Sequence, residues 1–135
     1  MANLTGGCLC RRVRWEATGE PAFAGVCHCR NCQRYTGSAF EPFAAFPATN
    51  VQIEGDLKTY EDQGDSGQPV HRRFCPNCGS GVVNELEAVP GLVALLAGTF
   101  DDASQFKPGM DLYWGSVQAW IEAPVERQRF SKMPG

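Results

Sequence analysis

A chain of 135 residues with 43% hydrophobic and 20% charged residues has room for one buried core and not for two. We therefore expect a single domain over residues 1–135, neither disordered nor fibrous. The net charge of −3 and pI of about 5.3 lack the basic footprint of a general nucleic-acid binder, and the longest apolar run, residues 92–97, is too short to span a bilayer.

In chain order, the opening "MANLTGGCLC" has neither the basic start nor the apolar stretch of a secretory signal. The expected location is cytoplasmic, where thiols stay reduced and cysteine spacing points to metal rather than to disulfides. "RVRWEA" (12–17) alternates Val13 and Trp15 with charged residues, as a half-buried strand does. "CRNCQRYTG" (29–37) reads as a turn or two of helix ended by Gly37. "VQIEGDLKTYE" (51–61) has a Gly55-Asp56 turn signal between two strand-like halves and resembles a hairpin. Residues 61–69, "EDQGDSGQP", form a polar, glycine-rich loop with no functional signal of its own. Further strands are expected at 70–74, 80–84, 92–100 and 111–122, with Pro and Gly between them. Many short strands broken by the 15 Gly and nine Pro argue for an all-β protein, a sandwich or an open barrel.

The seven cysteines fall into Cys8-x-Cys10, Cys27-x-Cys29-x2-Cys32 and Cys75-x2-Cys78. Two thiolates two residues apart share a metal when the chain turns sharply, and Pro76, Asn77 and Gly79 favour such a turn. In an extended C-x-C pair, residues i and i+2 point the same way. The economical partition gives Cys8, Cys10, Cys75 and Cys78 a closed four-thiolate zinc site. It leaves Cys27, Cys29 and Cys32 as three ligands with an open position, the arrangement of a catalytic zinc. A second partition joins Cys27 and Cys29, or Cys29 and Cys32, to the distant knuckle. On the first partition the chain holds two zinc ions.

His28 alternates with Cys27 and Cys29, which favours a hydrogen-bonding role over ligation, and His71 reads as a half-exposed structural histidine. Thiolate-rich centres are anionic and need cations nearby. Arg11, Arg12, Arg14, Arg30, Arg34, Arg72 and Arg73 lie within four positions of a cysteine. Arg30 and Arg34 are the best placed to meet an anionic ligand at the open metal. Ser38 and Tyr35 offer hydroxyls to the same ligand, whereas Phe40, Phe43 and Phe46 read as core.

"GGCLC" (6–10), "CHCRNCQRYTGSAF" (27–40), "FCPNCGS" (74–80), "AGTFDD" (97–102) and Trp120 together resemble the glutathione-dependent formaldehyde-activating enzyme family, also called the GFA/CENP-V family. The resemblance implies the family's all-β arrangement, the β-tent, an open sandwich of short antiparallel strands with zinc sites. It implies a structural zinc on Cys8, Cys10, Cys75 and Cys78 and a catalytic zinc on Cys27, Cys29 and Cys32. The activity implied is that of a carbon–sulfur lyase, joining glutathione or a related small thiol to formaldehyde or another aldehyde as S-(hydroxymethyl)glutathione synthase does. One departure is Arg11, where the family usually has Gly. The rival readings are a non-catalytic zinc module that tethers a protein partner, and a thiol or metal sensor.

Overall fold

The computed structural model describes residues 3–122 and 125–134. In chain order its elements are β1 (Asn3–Gly7), β2 (Arg14–Thr18), β3 (Phe23–Cys27), α1 (Arg30–Thr36), β4 (Glu41–Pro47) and β5 (Val51–Glu54). They continue with β6 (Lys58–Gln63), β7 (Pro69–Phe74), β8 (Gly81–Leu86), β9 (Leu92–Leu96), β10 (Met110–Leu112) and β11 (Gln128–Arg129). The protein is all-β, with one short α-helix among the described residues.

The strands form two sheets. The smaller has the order β1-β2-β5, and the larger β11-β10-β3-β4-β9-β8-β7-β6. Neighbours pair antiparallel, except that β10 runs parallel to both β3 and β11. Between the sheets lies the main core: Val13, Trp15 and Ala17 from one side meet Ala44, Phe46, Val83, Val93 and Leu95 from the other. Alternation along a strand sends neighbouring side chains to opposite faces, so Phe43 and Ala45 of β4 join a second cluster, with Leu96 and Leu112. That second face of the large sheet carries the candidate site.

Gly6 shows why the first strand needs a residue with no side chain. A Cβ there would sit 2.2 Å from the Thr99 carbonyl oxygen and 2.4 Å from the Trp15 ring. The close approach lets Gly6 bridge to Phe100, with Trp15 Nε1 donating to Thr99 Oγ1 at 3.0 Å.

Three expected elements differ. Residues 51–61 are not a hairpin: β5 pairs with β2 in the small sheet and β6 pairs with β7 in the large one. Gly55, at φ 100° and packed on the Arg12 carbonyl, carries the chain from one sheet to the other. The stretch 111–122 stops being strand after Leu112, because Tyr113 adopts φ 56° and the amides of Tyr113 and Trp114 donate to the Lys132 and Phe130 carbonyls instead of extending the ladder. The stretch 92–100 is strand only to Leu96, followed by a 3-10 turn over Ala97–Thr99. Strands β1, β3 and β4 carry no clean apolar alternation in sequence, "NLTGG", "FAGVC" and "EPFAAFP". Their pairing and burial come from the sheets around them. No helix among the described residues is long and apolar enough to cross a membrane.

Candidate metal centres

Cys8 and Cys10 sit in the turn between β1 and β2, and Cys75 and Cys78 in the turn between β7 and β8. Each turn has a left-handed residue. Gly79, at φ 78°, donates its amide to the Cys75 carbonyl at 2.8 Å. Arg11, at φ 70°, donates to the Cys8 carbonyl at 3.1 Å. A non-glycine residue with positive φ is strained; here the turn forms despite the Arg11 side chain. The Leu9 amide donates to Ser80 Oγ at 3.0 Å and locks the two turns together.

The four sulfurs lie within 4.8 Å of one another, with Cys8–Cys10 at 3.6 Å and Cys10–Cys75 at 3.7 Å. Four thiolates about 2.3 Å from one ion at tetrahedral angles stand about 3.8 Å apart. The donor set therefore fits a tetrahedral, thiophilic metal. Ser80 reinforces it: its hydroxyl lies 3.2 Å from Cys78 Sγ, and together with backbone N–H donors it brings that thiol down to about 5.

Cys27 ends β3, Cys29 caps α1 and Cys32 lies in the first turn of that helix. Their sulfurs also fall within 4.8 Å of one another. The Cys32 amide donates to Cys29 Sγ at 3.2 Å. Hydrogen bonds from the Cys27 and Cys32 thiols hold Cys29 down to about 2. The same bonds push Cys27 up to about 12 and drive Cys32 upward as well. Three thiols so close do not ionise together without a cation among them. This set too fits a metal, with three protein ligands and no fourth cysteine. The sulfurs thus group as in the economical partition, and neither centre borrows from the other.

The register of the large sheet gathers the surroundings of this second centre on one face. Cys27 pairs with Glu41, Gly25 with Phe43 and Phe23 with Ala45. Farther across, Ala94 pairs with Asn84, and Asn84 with Arg72. Arg72 is 4% exposed. Its Nη1 and Nη2 point at Cys32 Sγ from 3.9 and 3.8 Å, Nη1 lies 3.5 Å from Glu41, and Nε donates to Asp62 at 3.0 Å. Glu41 accepts from Asn84 at 2.6 Å. Burial nonetheless pushes its carboxyl up to about 7, against the pull of Arg72.

The three thiols open onto a cavity of about 1040 Å³. Its floor includes Phe23, Phe43, Ala45 and Leu92, and its rim comes from residues 62–66, Gln68 and residues 131–134. Arg30 lines it, with Nη1 bonded to Gln33 Oε1. Arg34 is exposed in the last turn of α1. Ser38 lies past the Gly37 cap and, with Tyr35, lines a separate cleft of about 680 Å³. His28 stands outside both sulfur clusters: it is 1% exposed, its Nε2 meets Asp111 Oδ1 at 2.9 Å, and Arg127 Nε donates to Asp111 Oδ2 at 2.9 Å. His71 is bracketed by Glu61 and Glu87.

The preference for Arg30 and Arg34 passed over Arg72, and Asp111 and Arg127 were missed altogether. Arg72 had a signal: in "PVHRRF" it shares the phase of buried Val70, and an arginine on the apolar phase of a strand demands a buried partner. The loop 61–69, silent in sequence, supplies both Asp62 and part of the rim.

No curated protein sequence matches the chain. A crystal structure of a Rhodobacter sphaeroides protein superimposes with a TM-score of 0.57 at 20% identity, covering 72% of this chain and 87% of that one, which shows a shared fold. Residues 3–116 match the family described as glutathione-dependent formaldehyde-activating enzyme. With that match spanning both cysteine clusters and most of the strands, the chain belongs to the glutathione-dependent formaldehyde-activating enzyme family.

Proposed function

We propose that this protein is a two-zinc enzyme of the cytoplasm that joins a small thiol, glutathione or a relative, to an aldehyde. The observation that carries the reading is the contrast between the two clusters. Four thiols close on one another between two turns, whereas Cys27, Cys29 and Cys32 form an incomplete set at the end of a large cavity.

In the addition, the thiol sulfur forms a C–S bond to the carbonyl carbon, the C=O π pair moves to oxygen, and that oxygen takes up the proton the thiol gives up. The product is a hemithioacetal, with no change of oxidation state. Zinc held by Cys27, Cys29 and Cys32 would supply the means to keep a substrate thiol ionised at neutral pH. The chain's own residues do the remainder. Apolar Phe23, Phe43 and Leu92 exclude water from the floor, and Arg30 on the wall is placed to meet a carboxylate of the thiol. Holding thiol and aldehyde side by side contributes the larger part of the rate gain. Arg34 and Ser38 lie outside this cavity, and the reading does not need them.

The seven free cysteines suit a reducing compartment. The test is a screen of small thiols by calorimetry, followed by the rate of adduct formation with formaldehyde. Glutathione or a close relative should bind the wild type, and Cys29→Ser should lose that binding while keeping its circular dichroism spectrum. Binding that survives Cys29→Ser unchanged would defeat the reading.

A further inference from the structure

Arg72 is the most enclosed cation at the site, and its contacts are specific. The guanidinium lies in the β7 ladder beside Asn84 of β8 and stacks on the Tyr35 ring of α1, 5.0 Å from its centroid. Asp62 of β6 takes its Nε hydrogen. The two terminal nitrogens fork onto a single sulfur, Cys32 Sγ. Asn31 Nδ2 also donates to Asp62, at 3.2 Å, tying the brace to the helix that carries Cys32.

This arrangement has a chemical purpose. A divalent ion with three thiolates is a net anion, and in a buried wall an anion needs donors or a counter-charge. An arginine fork provides both, in a plane fixed by its other contacts. Glu41, the remaining partner, is itself acidic, so Arg72 is the cation that faces the cluster from the sheet side. Among the described residues the fork reaches Cys32 alone; Cys29 accepts from the Cys32 amide and feels Arg72 through its charge.

We propose that Arg72, braced by Asp62 and Tyr35, is a positioning residue for the Cys27–Cys29–Cys32 centre: its guanidinium fork fixes the Cys32 sulfur and offsets the charge of the ligand set. The proposal rests on the reading of these three cysteines as a metal centre. Removing an outer partner of a metal ligand lowers metal affinity by about 10- to 100-fold, and that is the loss expected here, confined to one of two sites.

The experiment loads the full chain with zinc, or with cobalt(II) for spectroscopy, and titrates each protein with a chelator. In Arg72→Met the second metal equivalent should be released at about 10- to 100-fold lower chelator concentration, while the four-thiolate equivalent keeps its wild-type affinity. The thiolate-to-cobalt absorption of that second equivalent should shift or weaken. Arg72→Lys, which keeps the charge and loses the fork, should fall between the two. If Arg72→Met does not fold, Asp62→Asn removes the brace and should weaken the same equivalent by a smaller factor. Wild-type affinity and spectrum in every variant that folds would overturn the role of Arg72. A wild type that binds one metal only would instead overturn the metal-centre reading itself, and the role of Arg72 with it.

Discussion

Asp111 is the residue on which the far side of the three-thiol centre turns. It is fully buried, it meets the ring of His28 between two of the cysteines, and it accepts two hydrogen bonds from Arg127. Removing one partner of a buried ionic cluster leaves the others uncompensated, which costs about 3–5 kcal/mol. Asp111→Ala should therefore lower the urea midpoint by an amount equivalent to that loss, with little change in slope. The hydrogen-bonding role of His28 was legible in the alternation of "CHC". Its partner was not, because Asp111 stands 83 positions away and a parallel strand pairing brings it in.

At the scale of elements, the small sheet is clamped to the turn after β9 by one ion pair. Arg14 of β2 binds both carboxylate oxygens of Asp101, and Thr5 of β1 donates to the same group at 2.7 Å. The guanidinium, then the hydroxyl, hold Asp101 down to about 2, below the usual 3.8. A carboxyl lowered by folding stabilises the protein above its unfolded value, and that stabilisation disappears as the pH falls through the folded one. The pair is partly exposed, so solvent screening limits it to about 0.5–1 kcal/mol. Asp101→Asn should cost that much at pH 7, and the difference from wild type should vanish between about pH 4 and pH 2, read from denaturation at each pH. Gly6→Ala, by contrast, forces a Cβ into the Thr99 carbonyl and should destabilise by about 1–3 kcal/mol or more. Strands with clear alternation, such as Trp15 between Arg14 and Glu16, were legible in sequence. The partnership of β5 with β2 was not, because a Gly-Asp turn signal specifies a bend and not the sheet into which the chain bends.

Taken as a whole, the molecule is two sheets with metal-ligand clusters at different places. The four-thiol cluster joins a turn of the small sheet to a turn of the large one, so a metal bound there would act as a cross-link between them. Structural zinc contributes about 10–16 kcal/mol in small domains, more than the whole stability of many folds. A strong chelator should therefore abolish cooperative unfolding, and Cys75→Ser should do the same without chelator. The spacing of the cysteines favoured the grouping of sulfurs into four and three over a second partition, and the folded chain groups them that way. What surrounds the three, Glu41, Arg72, Asn84 and Asp62, depends on the register of four different strands and becomes visible only in the folded sheet.

The most direct test of the two-centre account is the metal content of reduced, purified protein, before and after one substitution. The account predicts about two zinc ions per wild-type chain, and about one in Cys29→Ser with the fold retained. One zinc per wild-type chain, with three thiols open to a thiol reagent, would contradict it.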